Sequence, residues 1–484
     1  MRHHLLRPLV LLLFVLVPLF TGCKSAIIHH AKQKSKITDA WRQGQVANAA
    51  EELTKKAAKH KEDRDAVIWR LEQATALRAT GQIKESNDAL AAAEKMIDSY
   101  DQKAKIDVAE QTVGFVVNQA TLPYRGRDYD RVLLNTYRAL NFMQMGDLPA
   151  ARVELTRAYQ RQQDAVEDNK NRISRTEADA EKELEKSKNK AAAKELVEKA
   201  KADPKFSQDL QGLNPALDGL KSYSDYVNPF TVYLEGLFFV AAAEGPSDLE
   251  RSRKSLERAL AFTDGNEFIK RDLEMVDNLI SGQPLPPITY VILETGMAPA
   301  REQFKIRVPL FIAGVREVPY VAAAFPVSKK QDGNIPSLNI SSGGSNIVTT
   351  TLASMDSVVG HAFNNELPTI ITKTLINTAV KAVATGVINE AMKKQGAWEK
   401  FVVKVLLAIL QELTAVADTR TWCTLPKEYQ IARFQTPTDG KLELSAPDGS
   451  LKTEVQLQPA TINIVYVKGV NSVNALTVSQ IKLK

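Results

Sequence analysis

One stretch of the chain, Val132–Tyr159, has the pattern of two amphipathic helices joined by a tight turn. Apolar residues recur three and four positions apart on both sides of Gly146, which is the periodicity of a helix with one buried face. Gly146 and Asp147 supply the turn, while Ala151 and Ala158 are small enough to let two helices pack closely. Because one helical hairpin cannot bury its apolar face alone, the stretch predicts neighbours of the same kind.

Weaker copies of this pattern occur elsewhere in the chain. The positions two, five and nine residues after Gly44, Gly81 and Gly146 are all apolar or small. A looser fourth copy contains Gly236 and has a longer turn. The spacing between Gly44 and Gly81 is close to the ~34-residue period of tetratricopeptide repeats. The pattern predicts a tetratricopeptide-like (TPR-like) α-solenoid over residues 36–282.

A charged segment interrupts this region at residues 161–205, where Glu, Lys, Gln and Ala dominate. Charge pairs four residues apart favour a solvated helical insert that projects from the solenoid, and Asp203-Pro204 should end its helix. A partner-binding coiled coil is the alternative, although the sparse apolar residues do not keep a heptad.

The periodicity changes from helical to two after the proline-rich segment Gly282–Pro287. The pattern predicts a second domain, 288–484, with strands in 288–325, helices in 354–416 and strands in 427–484. Within it, the Gly/Ser/Asn-rich segment 331–345 should be a loop, and Pro368 and Gly396 should separate the helices. The predicted fold class is therefore α+β, with an N-terminal TPR-like α-solenoid.

The beginning of the sequence predicts the compartment. Arg2 and Arg7 precede an apolar run that is short for a membrane span, and Thr21-Gly22-Cys23 follows it. Small residues directly before a cysteine resemble the bacterial lipobox, so we expect a lipoprotein signal peptide at 1–22, lipidation of Cys23 and a tether at 23–35. An ordinary secretory peptide is the alternative.

The residue after Cys23, the net charge and the cysteine count add to the prediction of location and of binding partners. Lys24 follows the cysteine, at the position where lipoproteins retained in the inner membrane carry aspartate. The expected location is therefore the periplasm, with the lipid anchor in the inner leaflet of the outer membrane. Without residues 1–22 the net charge falls from +6 to +4, which carries no nucleic-acid signature. If Cys23 carries lipid, Cys423 is the one remaining thiol and no intramolecular disulfide forms.

Motifs of catalysis and of cofactor binding are absent from the sequence. It contains no phosphate-binding glycine loop, no nucleophile elbow and no zinc-protease helix, and His361 is isolated. We therefore expect no enzyme activity, no cofactor, no metal and no small-molecule substrate. An envelope hydrolase is the least favoured class.

A partner-binding groove is the natural functional surface of a helical solenoid, since the first helix of each pair lines its concave face. The expected partner is an envelope protein whose identity the sequence does not give. Six residues are candidates for binding it: Arg78, Thr136, Asn141, Met143, Gln144 and Tyr233.

An alternative function rests on the apolar helices between residues 367 and 413. Phe401–Leu410 contains Lys404 and is about half the length of a membrane span, which favours burial against the sheet. The competing interpretation is a surface that oligomerises or touches the membrane, as in a component of an envelope assembly or secretion complex.

Short blocks of sequence resemble a family of uncharacterised bacterial lipoproteins with TPR-like N-terminal halves. The blocks are Tyr124, Gly126, Tyr129 and Asp130; Tyr137, Ala139, Asn141, Gly146, Asp147 and Glu154; Asn228, Pro229, Phe230, Tyr233 and Gly236; Glu294–Pro299; and Asp418, Arg420, Trp422, Leu425 and Pro426. Ala300 and the charged insert depart from the family pattern. Members are often encoded beside lipoproteins that resemble activators of penicillin-binding proteins. The resemblance implies a role in envelope assembly or maintenance and brings no catalytic residues.

Overall fold

The computed structural model of the protein describes residues 35–106, 120, 122–187, 189–212, 223, 227–309, 320–392 and 417–484. Helices occupy the first part of this chain, and strands with one long helix occupy the second. The fold is therefore of the α+β class, as the sequence predicts. The leader, Cys23 and Gly396 lie outside the described residues.

Helices that are adjacent in sequence pack against one another in the first part, most extensively in the pairs α3–α4, α5–α6 and α9–α10. The helices are α1 (35–42), α2 (Val46–Lys59), α3 (Ala66–Ala79), α4 (Ile83–Ile106), α5 (Asp128–Met145), α6 (Leu148–Lys186), α7 (Lys190–Ala202), α8 (Pro204–Gln211), α9 (Pro229–Ala241), α10 (Pro246–Ala261) and α11 (Glu267–Ile280).

The turn between α5 and α6 forms where the sequence predicts it. Gly146 ends α5 with a φ of 80°, a left-handed conformation that glycine adopts without strain. The Asp147 carboxylate then accepts a hydrogen bond from the Ala150 N–H at 3.0 Å and caps α6. Ala151 and Ala158 are fully buried, so the small side chains do lie where the two helices approach.

The charged segment is a continuation of this hairpin. Helix α6 runs without a break to Lys186, and α7 then packs beside the long helix of the second part. Asp203 ends α7, and its carboxylate accepts a hydrogen bond from the Phe206 N–H at 2.7 Å to cap α8. Pro204 is the first residue of α8, where its missing N–H is not needed.

The described strands of the second part form three sheets. The strands are β1 (Ile288–Thr295), β2 (Ala300–Pro309), β3 (Tyr320–Lys329), β4 (Asn339–Ser342), β5 (Ser345–Val348), β6 (Thr350–Ser354), β7 (Glu428–Gln435), β8 (Lys441–Ser445), β9 (Lys452–Gln456), β10 (Ile462–Gly469) and β11 (Thr477–Lys482). The central sheet has the order β11-β10-β1-β7-β6, a second sheet has the order β5-β4-β8-β9, and β2 pairs with β3. Strands β1 and β10 are parallel, and the other pairs are antiparallel.

The central sheet is covered on both faces, so every residue of β1 and β10 is buried. Alternate residues such as Tyr290 and Ile292 join the core of the helices, while Val291 and Leu293 pack against the β5-β4-β8-β9 sheet. The ring of Phe230 on α9 stacks on Tyr429 of β7, with ring centres 3.9 Å apart. One hydrophobic core thus runs across the segment 282–287.

A second hydrophobic core joins the charged segment to the apolar helix α12 (Met355–Met392). It contains residues from α6, α7, α8, the β2–β3 hairpin and α12, including Leu184, Val197, Phe325, Leu375 and Val383. The charged segment therefore covers apolar side chains of α12. This contact explains why the charged segment contains apolar residues such as Leu184 and Val197.

Two predictions for the second part are wrong. Helix α12 continues through Pro368, because burial of Leu367 before it and of Leu375 after it offsets the hydrogen bond that proline cannot donate. Strands also occur within and after 331–345, where a loop was expected. Ile340 is fully buried on β4 and pairs with Leu444 of β8, so tertiary pairing overrides the local composition.

Candidate functional site

The helices and the central sheet meet at a fully buried carboxylate, Glu294 on β1. The hydroxyl of Tyr137 on α5 donates to its Oε1 at 2.7 Å, and the hydroxyl of Tyr466 on β10 donates to the same oxygen. The ammonium of Lys468 donates to Oε2 at 2.7 Å. Burial alone would raise the pKa of Glu294, but Lys468 and the two hydroxyls outweigh it and hold the pKa below its usual value. Glu294 is a buried anion whose oxygens are both satisfied.

Two of the predicted partner-binding residues lie beside this carboxylate and bind each other. The Arg78 guanidinium donates to Oδ1 of Asn141 at 2.6 Å, and the Asn141 amide donates to the Ser86 hydroxyl at 3.1 Å. The guanidinium also lies 4.8 Å from the centre of the Tyr466 ring, within cation–π distance. Asn141 therefore holds Arg78 from the helical side, and Arg78 contacts the sheet through Tyr466.

A second buried carboxylate, Asp272 on α11, lies in the same interface. The hydroxyls of Tyr233 and Tyr290 donate to its two oxygens at 2.8 and 2.6 Å, and Arg433 Nε donates to it at 2.8 Å. Burial raises the pKa of Asp272 despite the opposing effect of Arg433 and the hydroxyls. Tyr233, another predicted partner-binding residue, is thus bound within the chain.

The predicted open groove is occupied by the protein itself. Tyr290, Tyr429 and Tyr466 of the central sheet join the core on this face of the helices. The sequence could not reveal this, because an apolar helix face looks the same whether a partner or the same chain covers it. Among the six predicted residues, Gln144 is half-buried and the other five are buried: Arg78, Thr136, Asn141, Met143 and Tyr233.

The Asp418/Arg420/Trp422 block forms a further contact between the two parts. Arg420 Nε donates to Asp418 at 2.8 Å, and its Nη1 donates to Asp65, just before α3, at 3.1 Å. Burial acts against ionisation of Asp418, yet Arg420 and then Arg127 lower its pKa to about 2. Trp422 is fully buried. Asp418 therefore pairs with Arg420 inside this block, and Arg420 links the block to the helical part.

The loop before α5 is held by Asp130. The backbone N–H of Arg127 donates to its Oδ2 at 2.8 Å, and the Tyr124 hydroxyl donates to the same atom. The Tyr129 hydroxyl lies 3.3 Å from the Thr421 hydroxyl, so this loop contacts the Asp418/Arg420/Trp422 block. Blocks that are some 290 residues apart in sequence thereby meet in space.

Sequence reasoning missed one ionic cluster at the junction of the two cores. Glu366 on α12 accepts hydrogen bonds from Arg127 at 2.9 Å and from Arg301 on β2 at 3.1 Å. Burial opposes the charge on Glu366, but Arg127 and Arg301 lower its pKa to about 2. No local motif marks these residues, because each comes from a different element and their proximity is purely tertiary.

One open cavity, of about 280 Å³, lies between the start of α6 and the end of α9, and its lining includes Leu148, Arg152, Phe238 and Leu483. Its one guanidinium, from Arg152, is already paired with Asp248 at 2.9 Å. In the described part of the chain, no group of three or more His, Cys, Asp and Glu side chains is placed to hold a metal ion.

His361 and the apolar helix α12 both pack against other parts of the chain. His361 is half-buried and lines a cavity of about 10 Å³ with Tyr129 and Tyr223. Leu375 and Val383 of α12 are buried in the second core. None of the described helices is both long and apolar enough to cross a membrane.

Cys23, the predicted lipidation site, lies outside the described residues. Comparison of the chain with protein-family models, with curated proteins and with solved structures found no match.

Proposed function

We propose that the protein is a periplasmic lipoprotein, anchored in the outer membrane through Cys23, that acts as a protein-interaction scaffold in assembly or maintenance of the cell envelope. The single observation that carries the proposal is the Thr21-Gly22-Cys23 sequence behind a basic and apolar leader. Lys24 after the cysteine supports the outer membrane as the destination. An unidentified envelope protein is the proposed partner.

The helical part is proposed to be a TPR-like array whose concave face is permanently filled. The left-handed glycines Gly81 and Gly146 between paired helices support the repeat assignment. Glu294 and Asp272 each accept hydrogen bonds from both the helical part and the central sheet, so the two parts share a buried polar interface. A scaffold of this kind offers its solvent-facing surface to partners.

Lipidation is tested by labelling cells with a palmitate analogue. The wild-type protein should carry the label and fractionate with the outer membrane, and Cys23→Ser should lose both properties. Cys423→Ser is the matched control, since this second cysteine is buried and should not affect acylation. Equal labelling of wild type and Cys23→Ser would refute the anchor.

The scaffold role is tested by photo-crosslinking in cells. A crosslinkable residue at Tyr159, Val166 or Ile173, each 38–40% exposed on α6, should give discrete adducts with envelope proteins. The same residue at the buried positions Thr136 and Met143 is the control. Adducts from none of a broad panel of exposed positions would refute the scaffold proposal.

A further inference from the structure

Exposed apolar side chains are concentrated on helix α6. Of the nine large apolar side chains that are exposed among the described residues, four belong to this helix: Val153, Tyr159, Val166 and Ile173. Tyr159, Val166 and Ile173 are each 38–40% exposed and follow one another at intervals of seven residues. They therefore form a row about 20 Å long on one side of the helix. Single apolar residues are ordinary on a protein surface, whereas a row at heptad spacing is typical of a helix that binds another helix.

This row has one apolar residue per heptad, which is half of what a coiled coil has. The positions between them are held by Gln163 and Lys170, and both side chains are exposed. Apolar area alone therefore does not select a partner for this surface. The charges beside the row decide which helix can pair with it.

The charges on this part of α6 are arranged in blocks. Four blocks of alternating sign follow one another: Arg157 and Arg161; Asp164, Glu167 and Asp168; Lys170, Arg172 and Arg175; and Glu177, Asp179 and Glu181. If a second copy of the helix runs antiparallel about residue 169, each block lies opposite a block of the other sign. A second copy in parallel register would place like charges together. The charge pattern is therefore complementary to itself in the antiparallel orientation.

The inner blocks are the ones available to a second copy. The outer blocks are partly paired within the chain, since Arg161 binds Asp98 at 3.1 Å and Glu181 binds Lys190 at 2.7 Å. Glu167 and Lys170, on either side of residue 169, are exposed, and neither forms an ion pair with any described residue. These two charges lie beside the apolar row and have their partners still to find.

We propose that α6 is the contact between two copies of this protein, paired antiparallel about a two-fold axis near residue 169. Val166 and Ile173 of each copy then lie against α6 of the other, and Glu167 of each copy lies beside Lys170 of the other. Such a contact is isologous, so every interaction occurs twice. The pairing goes beyond the scaffold proposal and requires neither the lipid anchor nor an envelope partner.

Analytical ultracentrifugation of the chain from residue 23 with Cys23→Ser measures the association. Because the contact is small, we expect a monomer–dimer equilibrium with a Kd of about 10–100 μM that weakens in about 0.5 M salt. Lys170→Glu and Glu167→Lys should each raise the Kd about tenfold, since each change places like charges together twice. An equal mixture of these two variants should associate as wild type does, because both contacts are again of opposite charge.

Matched controls separate this surface from net charge and from apolar exposure in general. Lys254→Glu makes the same charge change at another exposed lysine, on α10, and should leave the Kd within twofold. Ile173→Ser should raise the Kd about fivefold. Val348→Ser, at a side chain 46% exposed on β5, should not change it. A protein that stays monomeric at about 500 μM, or charge variants that do not rescue each other, would overturn the proposal.

The orientation is tested with single cysteines and a short bifunctional maleimide. About a centre at residue 169, the two copies of residue 166 lie about 9 Å apart along the helix axis and those of residue 156 about 39 Å apart. Val166→Cys should therefore crosslink between copies and Thr156→Cys should not. The chain without an added cysteine is the control, since Cys423 is buried. Equal crosslinking from both positions would indicate parallel pairing and overturn the antiparallel arrangement.

Photo-crosslinking in cells separates this proposal from the scaffold proposal. A crosslinkable residue at Val166 should give an adduct of twice the mass of the chain. Adducts with other proteins alone would support the scaffold and overturn the pairing of two copies at this surface. A self-adduct from α6, with no other adduct from any exposed position, would support the pairing and leave the scaffold without a partner. The two proposals are therefore refuted by different results.

Discussion

Glu366 is the position at which one change tests the structure most directly. Its carboxylate accepts hydrogen bonds from two guanidinium groups, those of Arg127 and Arg301, and joins α12 to both the helical part and the β2–β3 hairpin. The side chains of Glu366, Arg127 and Arg301 are 15%, 13% and 1% exposed, so solvent screens their attraction little. Glu366→Gln keeps the shape of the side chain and removes its charge.

The size of the effect follows from the lowered pKa. A shift from 4.5 to about 2 corresponds to about 3 kcal/mol of unfolding free energy. Because the folded-state pKa is the lower one, this contribution is fully present above pH 4.5 and is lost as the pH falls towards 2. Glu366→Gln should therefore be about 3 kcal/mol less stable than wild type at pH 7, and the difference should shrink at pH 3.

Urea unfolding followed by circular dichroism at pH 7, 5 and 3 measures this difference. Glu257→Gln is the control, since Glu257 pairs with Arg253 on an exposed helix face and should contribute less than about 0.5 kcal/mol. A loss below about 1 kcal/mol at pH 7, or an equal difference at pH 7 and pH 3, would refute the proposed charge cluster.

Three further predictions concern stability. Asp128→Asn should raise the unfolding free energy by about 3 kcal/mol at pH 7, because burial raises the folded-state pKa of Asp128 from 3.8 to about 6. The wild type loses stability as the pH rises from 4 to 6, so denaturation at pH 4 should show no gain from the substitution. Gly236→Ala should lower the unfolding free energy by about 1–3 kcal/mol, since the new Cβ would lie 2.7 Å from Leu256 Cγ. The control is Gly245→Ala, whose Cβ would meet no atom within 4 Å and which should leave the melting temperature unchanged. Lys468→Met should lower the unfolding free energy by about 3–5 kcal/mol, because it leaves the buried Glu294 carboxylate without its cation. Adding Glu294→Gln should recover part of this loss in a double-mutant cycle. Additive losses from the two substitutions would contradict the pairing of Lys468 with Glu294.

Local features of the fold were predictable from sequence, and tertiary pairings were not. The Gly146 turn follows from backbone conformation, and the end of α7 at Asp203-Pro204 follows from capping, so both could be read from a few residues. Strand β4 could not, because Ser and Asn predominate and its pairing partner β8 lies about 100 residues away.

The candidate site shows the same division. Asn141 and Glu154 stand out in the sequence as polar residues at helix positions that packing alone does not require. In the structure Asn141 accepts from Arg78, and Glu154 accepts from Asn135 at 2.7 Å and pairs with Arg138 at 3.0 Å. The pattern identified unusual residues correctly, but only the structure shows that their partners belong to the same chain.

The parallel pairing of β1 with β10 has a consequence for how the chain reaches its native state. Residue 288 pairs with residue 462, and the first described helix is held by a loop near residue 471. Contacts of such long sequence separation form late and slowly. During synthesis, the apolar face of the helices and an unpaired edge of β1 therefore stay exposed until β10 is available. This protein should depend on chaperones for solubility during that interval, more than a helical repeat of the same length would.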